Sequence, residues 1–349
     1  MEKVLVSMSG GVDSAVTVHL LKEQGYQVMG VFLDMLNNIK HTEWKKAKVL
    51  ARQLGIELVY KEIQIDFQKE VVTEFVNKYK KGLTPNPCVG CNPRIKFRYL
   101  LQVADELKIN KVATGHYAIV SKGQKGKREL LKGFDKNKDQ SYFLYGLGQK
   151  ELQRIEFPLG ELLKKEVKQI AQENKLKVPK TESQDVCFLK GYKNLEEFLQ
   201  KKINKNNFSE GDIVDENGNL LGKHQGLLIY TIGQRKSLNI GGDGPFYVIG
   251  KDFERNELLV SNNKKNKKLL SEKIVIKNVR WVIKAPIKDK IYQIKIRHQM
   301  KPVEAKIKEL PNGRWDVKCN KSIWAIAPGQ SLVVYDGDMI VGGGIISNN

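Results

Sequence analysis

A serine- and glycine-rich segment between the first predicted strand and the first predicted helix constrains the fold of this chain most strongly. The segment reads Ser7-Met8-Ser9-Gly10-Gly11-Val12-Asp13-Ser14, and it separates a buried strand at residues 4–6 from a helix predicted over 13–24. Glycines let the backbone approach a phosphate, serine hydroxyls donate hydrogen bonds, and a helix N-terminus adds positive potential. The segment is neither a Walker A loop nor a Gly-x-Gly-x-x-Gly dinucleotide loop. A lone Gly-Gly would indicate only a turn, but the full string predicts an anion-binding strand–turn–helix unit.

Strand and helix patterns alternate through the first third of the chain. This alternation predicts a parallel α/β sheet with helices on both faces. A helical stripe at Leu163, Val167, Ile170 and Ala171 extends the same domain, which we place at residues 1–205. Further strands are predicted at 28–33, 57–60 and 111–114, and further helices at 42–54 and 94–108.

The sequence changes character after a polar, basic stretch at residues 201–207. Short segments broken by Asn-Gly and Gly-rich turns follow, and Tyr292, Ile294 and Ile296 alternate with polar residues as in a strand. A second basic run at 264–268 separates a small central domain from an all-β end. We therefore predict a small central domain at 206–270 and an all-β C-terminal domain at 271–349, either a small barrel or a sandwich.

The chain carries a formal net charge of +21, from 60 Lys and Arg against 39 Asp and Glu. Such a charge favours a polyanionic partner, nucleic acid above all. Only 10 of the basic residues are Arg, so compositional drift towards Lys is the alternative. Residues 262–308 hold 13 Lys and 2 Arg against 3 acidic residues, a net +12, and this clustering favours an RNA-facing surface. We find no apolar run long enough for a membrane span and no signal peptide, and expect a cytoplasmic location without membrane partners.

The Ser-Gly-Gly-Val-Asp-Ser string resembles the pyrophosphate loop of the N-type ATP pyrophosphatases. These enzymes cleave ATP between the α and β phosphates and activate a carbonyl oxygen as an adenylate. The resemblance implies that Ser9–Ser14 hold the pyrophosphate and that Asp13 orients it or its Mg²⁺. ATP and Mg²⁺ are therefore the expected cofactors. The loop alone does not choose among the reactions of this group.

Four cysteines, at positions 88, 91, 187 and 319, are too few and too unevenly spaced for a disulfide scaffold. Cys88 and Cys91 form a Cys-x-x-Cys in a Pro-rich loop, but a structural zinc site usually needs a second pair, and we predict no metal site. Inert structural thiols are one interpretation, although polar loops favour reactive ones. Cys319 lies alone in strand-like sequence and is interpreted as a small core or surface residue.

Motifs along nearly the whole chain resemble the tRNA-specific 2-thiouridylases (MnmA family). They occur in the family's order, so chance similarity does not explain them. The motifs are Thr84-Pro85-Asn86-Pro87, Cys91-Asn92, Ile95-Lys96-Phe97, Ala113-Thr114-Gly115-His116-Tyr117, residues 137–144, Val186-Cys187-Phe188, His224-Gln225-Gly226, residues 231–236, 327–331 and 342–346.

This resemblance implies a fold and a mechanism. The fold that the resemblance implies is an adenine nucleotide alpha hydrolase-like domain at 1–205, followed by a small tRNA-contacting central domain at 206–270 and a C-terminal β-barrel at 271–349. ATP would adenylate the C2 carbonyl oxygen of the wobble uridine, position 34, in tRNA, and pyrophosphate would leave. A persulfide on Cys187 would then supply sulfur, with Cys91 as the partner thiol. The implied partners are the tRNAs for lysine, glutamate and glutamine, and a cysteine desulfurase or a sulfur-relay protein as persulfide donor. A carboxylate at Asp185 would favour the thiol form of Cys187.

The resemblance also assigns site residues by position. His116 could equally be a satisfied structural histidine. The catalytic set is Cys91, Cys187 and Asp13; the ATP-binding set is Ser7, Met8, Ser9, Gly10, Gly11, Val12, Asp13, Ser14, Leu33 and Gly115; the target-base set is Asn86, Pro87 and Cys88; the tRNA set is Lys138, Asp139, Gln140, Arg297, His298, His116 and Gln330.

Two departures from the family pattern leave alternatives open. Some relatives have an acidic residue where this chain has Cys88, so an iron–sulfur cluster on Cys88, Cys91 and Cys187 is an alternative that we do not favour, since such clusters usually have four cysteines. The segment at 34–41 is shorter and less acidic than the family pattern, which puts the adenine contacts in doubt. The rival functions are another tRNA-modifying or ammonia-using ATP pyrophosphatase, and a non-catalytic tRNA-binding protein.

Overall fold

The computed structural model describes residues 1–36, 40–179, 186–203, 208–238, 240–241 and 244–348. Its helices are α1 (Val12–Glu23), α2 (Lys40–Leu54), α3 (Gln64–Phe67), α4 (Glu74–Lys80), α5 (Pro87–Cys91), α6 (Arg98–Glu106), α7 (Gln149–Leu152), α8 (Lys164–Glu173) and α9 (Leu195–Lys202). Its strands are β1 (Lys3–Ser7), β2 (Gln27–Asp34), β3 (Leu58–Glu62), β4 (Lys111–Ala113), β5 (Ala118–Lys122), β6 (Arg128–Lys132), β7 (Ile155–Glu156), β8 (Gly211–Val214), β9 (Leu220–His224), β10 (Tyr247–Asp252), β11 (Glu257–Ser261), β12 (Leu270–Trp281), β13 (Ile291–Lys295), β14 (Val303–Glu309), β15 (Trp315–Trp324), β16 (Ser331–Asp336) and β17 (Met339–Ile346).

The N-terminal sheet has the order β3-β2-β1-β4-β7, and every neighbouring pair is parallel. Its two faces bury different side chains of β1. Val4 and Val6 pack with α1 and α2, whereas Leu5 packs with α6 on the opposite face. A parallel sheet needs helices on both faces to cover its apolar strands. The predicted α/β fold class is therefore confirmed.

Two π-helical turns interrupt the helices on one face of this sheet, at Gln68–Thr73 and Asn92–Phe97. The helix predicted at 94–108 thus begins with a π turn and continues as α6. Polar pairs join the two π-containing segments: Arg98 lies 2.9 Å from Glu70, Arg94 contacts Glu74, and Tyr99 donates to Asp66. Single π turns inside helices are frequent at functional sites, and the second one directly follows α5, which contains Cys88 and Cys91.

The remaining strands form two further sheets. The central one has the order β10-β11-β8-β9. In the C-terminal one, β12-β15-β14-β13-β16-β17 closes through a β12–β17 pairing, which makes a six-stranded barrel around Ile276, Ile294 and Val317. The predicted C-terminal β-barrel is confirmed.

A hairpin from the first half of the chain joins the sheet of this barrel. Strands β5 and β6 pair antiparallel, and Leu131 of β6 pairs with Met339 of β17. The sequence pattern did not predict this contact. A second contact joins the same part of the chain to the barrel, since Tyr142, which follows the hairpin, donates a 2.7 Å hydrogen bond to the Ser331 carbonyl. The hairpin and Tyr142 together attach the barrel to the N-terminal domain.

Within the part of the chain that the structure describes, no helix has the length and apolar character needed to cross a bilayer.

Candidate active site

The nucleotide loop, residues Ser7–Ser14, connects the end of β1 to the first turn of α1. Gly10 has φ +81°, and a Cβ there would lie 3.0 Å from Lys46 Cβ, so both its conformation and its space call for glycine. The Ser14 hydroxyl donates a 3.0 Å hydrogen bond to the Gly11 carbonyl, and Ser9 N–H donates to Ser14 Oγ at 3.3 Å. The N-cap residue of α1, Gly11, has no side chain that could cap the helix, and its own N–H donates to Ser9 Oγ at 3.4 Å. The amide groups of α1 therefore remain suited to an anionic ligand.

Asp13 is fixed by groups from two distant segments. Tyr117 OH donates to Asp13 Oδ1 at 2.8 Å, and Lys164 Nζ lies 2.7 Å from the same oxygen. Gly115 packs directly on Asp13, since a Cβ at position 115 would lie 2.9 Å from the Asp13 carbonyl carbon. The predicted site residues Asp13 and Gly115 thus meet, with the absence of a side chain at 115 permitting the contact.

The end of β2 lies beside the loop. Leu33 is buried. Two residues earlier in β2, the Val31 carbonyl accepts a 2.8 Å hydrogen bond from Met8 N–H of the loop. Asp34, the residue after Leu33, is buried and accepts hydrogen bonds from Tyr60 OH and from Gln64 Nε2. The doubt about the following segment stays open, because residues 37–39 lie outside the described residues.

The target-base candidates form the start of α5. Asn86 is the N-cap: its Oδ1 accepts a 3.2 Å hydrogen bond from Cys88 N–H, and Pro87 occupies the first turn. This is the preferred arrangement of an N-cap and a first-turn proline. The cap places Cys88 half-buried and Cys91 buried one turn later. The short helix therefore aims both cysteines of the Cys-x-x-Cys into the same region.

Cys187 begins a short 3-10 turn, Cys187–Leu189, whose Phe188 packs edge-on against Phe75 with ring centroids 5.1 Å apart. The residue is exposed, although surrounding protein atoms crowd its thiol. Cys187, Cys91 and Cys88 interact electrostatically with one another, so the fold brings the three predicted thiols together. Asp185 lies outside the described residues.

Lys96, in the second π turn, is the cation beside these thiols. Burial raises the pKa of Cys88 and of Cys187, and it raises that of Cys91 to about 12; the charge of Lys96 opposes each increase. Burial by itself lowers the pKa of Lys96, but the cysteines outweigh burial, and the net pKa is raised. In a π turn, side chains five residues apart lie closer together around the helix axis than they do in an α-helix. Lys96 is five residues after Cys91, so the π turn brings it towards the helix face that carries Cys91.

His116 lies between this cation and two aromatic rings. Its ring centroid is 5.8 Å from that of Phe97 and 5.9 Å from that of Phe157, and its Nδ1 is 2.7 Å from Thr114 Oγ1. Burial, with a smaller effect from Lys96, lowers the pKa of His116 to about 3. The imidazole is therefore neutral at physiological pH, and the half-buried ring contacts both aromatic neighbours and Thr114.

The loop that leads to Asn86 is held by both later domains. Thr84 N–H donates to the Pro328 carbonyl at 2.9 Å, the Thr84 carbonyl accepts from Gln330 Nε2 at 2.8 Å, and its hydroxyl lies 3.1 Å from that of Thr231. Gln330, predicted to assist tRNA recognition, thus reaches the loop next to the target-base candidates.

The other tRNA candidates lie in two groups that touch. Asp139 is buried and accepts hydrogen bonds from Gly133 N–H and Ser141 N–H, both at 3.0 Å. Gln140 Oε1 accepts from Tyr117 N–H at 3.1 Å, and Lys138 is half-buried. His298 Nε2 contacts the Asp139 carbonyl. The side chain of Asp139 therefore binds the backbone of its own segment, whereas that of Gln140 binds the backbone of Tyr117, which precedes the β5–β6 hairpin.

Arg297, His298 and Gln330 line one cleft of about 850 Å³ between the central domain and the barrel. Thr231–Gln234 and Trp324 form its other walls. Arg297 is half-buried and donates from Nη2 to the Ala325 carbonyl at 2.7 Å. This cleft brings three of the predicted tRNA residues together.

Three family models match consecutive parts of the chain. A model described as the tRNA methyl transferase HUP domain matches residues 2–191. A model described as the tRNA methyl transferase PRC-barrel domain matches 196–262, and one described as the aminomethyltransferase beta-barrel domain matches 271–346.

Curated relatives match over the full length. A "tRNA-specific 2-thiouridylase MnmA" of Staphylococcus saprophyticus is 38% identical over 99% of this chain and 95% of its own. Proteins of the same name from Geobacter metallireducens and Halothermothrix orenii are 39% and 40% identical, covering 96% and 100% of their own lengths. The chain belongs to the tRNA-specific 2-thiouridylase (MnmA) family.

Sequence reasoning missed residues that this MnmA-family chain places in the site. Lys96 was noted only as part of a motif, and no role was given to Lys164 or to Asp34. Lys164 comes about 150 positions after Asp13 and carries no local motif, so only the fold joins the two. For Lys96, its position five residues after Cys91 was a usable signal.

Proposed function

We propose that this protein catalyses ATP-dependent 2-thiolation of the wobble uridine of tRNA. As a member of the MnmA family it is a tRNA uridine 2-sulfurtransferase, and tRNA is its substrate. The observation that carries the proposal is the placement, in one domain, of an anion-binding loop and three mutually interacting thiols. The loop suits nucleotide activation, and the thiols suit sulfur transfer.

The nucleotide step uses the loop and the first turn of α1. The residues present fit an ATP phosphate chain, because the loop is rich in glycine and because the N-cap residue of α1, Gly11, makes no side-chain cap hydrogen bond to the helix amides. In our proposal, Ser9–Ser14 bind the phosphates, and Leu33 and Gly115 lie where the adenosine would be held. The uridine C2 oxygen attacks the α-phosphorus, pyrophosphate leaves, and the C2–O bond becomes easy to break.

Mg²⁺ would be held here by Asp13 and by the nucleotide itself, and it would neutralise phosphate charge when bound. Asp13 Oδ1 already accepts from Tyr117 and Lys164, so this chain supplies part of that neutralisation through Lys164. The carboxylate is therefore oriented whether or not a cation is present.

The sulfur step uses Cys187 and Cys91. The terminal sulfur of a persulfide on Cys187 attacks C2 of the adenylated uridine, and AMP leaves with the C2–O bonding electrons. The Cys91 thiolate then attacks Cys187 Sγ, which forms a Cys91–Cys187 disulfide and leaves the C2 thiocarbonyl. An external thiol reduces the disulfide. Lys96 stabilises the thiolates in this sequence, because its positive charge opposes the effect of burial on each cysteine.

The RNA is bound, in this proposal, by the cleft that contains Arg297, His298 and Gln330 and by the basic segment 262–308. The Thr84–Gln330 hydrogen bond links this cleft to Asn86, Pro87 and Cys88, which would contact the extracted base. The tRNAs for lysine, glutamate and glutamine, and a cysteine desulfurase or relay protein as donor, stay predictions of the resemblance.

The proposal is tested by incubating the protein with unmodified anticodon-bearing tRNA, ATP and a persulfide donor. We expect 2-thiouridine, with AMP and pyrophosphate formed in equal amounts. Formation of 2-thiouridine without ATP cleavage would contradict it. A second measurement is the salt dependence of tRNA affinity, which should fall steeply and linearly on a log–log plot through counterion release. Nearly salt-independent binding would assign the charge to compositional drift.

The iron–sulfur alternative is separated by metal analysis. Among the described residues, no group of three or more His, Cys, Asp or Glu side chains is arranged to hold a metal ion. Protein purified without oxygen and found active with no iron would support the persulfide route, whereas activity proportional to iron and acid-labile sulfide would replace it with the cluster route.

A further inference from the structure

A buried lysine from outside the nucleotide loop reaches into it. Lys164 is the first residue of α8, its side chain is 9% exposed, and its Nζ lies 2.7 Å from Asp13 Oδ1 and 5.5 Å from the centre of the Tyr117 ring. A lysine is rarely buried unless a charge partner compensates it. Asp13 is such a partner.

The backbone holds Lys164 in this place. Its N–H donates a 2.9 Å hydrogen bond to Asp135 Oδ2, and Asp135 is itself buried. Helix α8 packs through Val167 and Ala171 against Val12 and Val16 of α1. The ammonium group is therefore carried by the same packed pair of helices whose other member begins at the nucleotide loop, and its position relative to the loop is set by the core.

The loop needs a cation that its own sequence does not contain. Residues 7–14 include Asp13 but no Lys or Arg, whereas the bound polyphosphate of a nucleoside triphosphate brings several negative charges. A Walker A loop meets the same need with a lysine inside its motif. Compact ammonium groups serve as point charges for phosphate. Lys164 provides such a charge next to Asp13 from a helix far along the chain.

We propose that Lys164 is a further phosphate-binding residue, which contacts the β- and γ-phosphates of ATP and stabilises the departing pyrophosphate. The proposal rests on the proposed use of ATP. The competing interpretation gives Lys164 only a structural role as the counterion of Asp13. The two interpretations differ in what they predict for ligands with and without the pyrophosphate group.

The test compares ATP, pyrophosphate and AMP binding by calorimetry on the full chain, for wild type, Lys164→Met, Lys164→Arg and the adjacent exposed control Lys165→Met. We expect Lys164→Met to lose at least tenfold in affinity for ATP and pyrophosphate and less than threefold for AMP. Lys164→Arg should lose less, and Lys165→Met should match wild type. An equal loss for AMP and ATP, or unchanged ATP affinity in Lys164→Met, would overturn the proposal.

A second pair of variants removes the folding ambiguity, because Lys164→Met leaves the Asp13 carboxylate without its cation. Asp13→Asn and Asp13→Asn/Lys164→Met differ only in the lysine, and neither has a charge at position 13 to compensate. We expect the double variant to bind pyrophosphate at least fivefold more weakly than Asp13→Asn. Equal affinities would show that Lys164 serves Asp13 alone. Wild-type protein that binds no ATP would instead refute the proposed function.

Discussion

The nucleotide loop lies at the N-terminus of α1, and Cys88 lies in the first turn of α5. The two sites differ in how the protein surroundings affect the charge of their ionisable groups. At the loop, the carboxylate of Asp13 is compensated by Lys164 and by the Tyr117 hydroxyl. At α5, burial raises the pKa of Cys91 to about 12, and Lys96 only partly opposes it. The first site therefore has its charged groups in place and can bind a charged ligand directly. The second keeps its nucleophiles protonated and makes their reactivity depend on the removal of a proton.

The largest effects should come from removing the thiols. We expect Cys187→Ser and Cys91→Ser each to lower the rate of 2-thiouridine formation on the order of 10³-fold or more, since the reaction loses its sulfur carrier or its resolving nucleophile. ATP affinity should stay within about threefold of wild type, because the nucleotide loop is a separate structure. Single-turnover thiolation and calorimetry measure the two quantities.

Cys319 offers the matched control, being buried in β15 of the barrel, away from the other three cysteines. Cys319→Ala should retain thiolation. If Cys91→Ser and Cys187→Ser both kept activity while remaining folded, the sulfur step would not use this pair, and the contrast between the two sites would lose its chemical meaning.

Removing the cation at the thiol site should have the next largest effect. Lys96 lowers the pKa of each neighbouring thiol, so Lys96→Met should raise those pKa values further and shift the pH–rate profile to higher pH. At pH 7.5 we expect a rate roughly tenfold to a hundredfold below wild type, with part of the loss recovered as pH increases.

Lys96→Arg keeps the charge and should shift the profile less than Lys96→Met. A rate loss that is the same at every pH would show that Lys96 acts through packing instead. Wild type itself should gain activity from pH 7 to pH 9, because its thiols titrate above their usual range.

Steric change at the nucleotide loop should have a smaller effect. A Cβ at Gly115 would lie 2.9 Å from both the carbonyl carbon and Cβ of Asp13, so Gly115→Ala must displace the loop. We expect a loss of about 1–3 kcal/mol in the free energy of unfolding, as for other overpacked sites, and weaker ATP binding by roughly tenfold. Gly241→Ala is the control, since among the described residues beyond its chain neighbours none places an atom within 4 Å of the added Cβ. Equal ATP affinity in Gly115→Ala and wild type would show that the loop yields without cost.

The two sites also differ in how far sequence could predict them. The nucleotide loop is local, because β1, the glycines and α1 follow one another along the chain and the pattern contains the geometry. Periodicity also predicts the parallel sheet and the all-β C-terminal domain, whereas the choice of a barrel came from the family resemblance. Lys164 could not be found this way, because helix packing rather than spacing places it beside Asp13.

The thiol site and the barrel show the same limit. The pattern at 94–108 predicted a helix, but the π turn at Asn92–Phe97 with which that helix begins is not encoded in apolar spacing. The β5–β6 hairpin pairs with β17 more than 200 positions later, through a single register pair, Leu131–Met339. Such long-range strand contacts leave no signal in a local sequence pattern.

The smallest predicted effect concerns His116, which lies between Lys96 and the aromatic rings. Burial lowers its pKa to about 3, whereas an unfolded histidine has a pKa of about 6.5. As pH falls below about 6.5 the unfolded chain takes up a proton that the folded chain refuses, so folding stability decreases, by at most about 1.4 kcal/mol per pH unit. His116→Gln should reduce the drop in Tm between pH 7 and pH 5 by a few degrees. Because the neutral imidazole takes no proton in this range, the thiolation rate from pH 6 to pH 7.5 should show no inflection that His116→Gln removes. Loss of such an inflection would show that His116 exchanges a proton during the thiolation reaction and does not serve in packing alone.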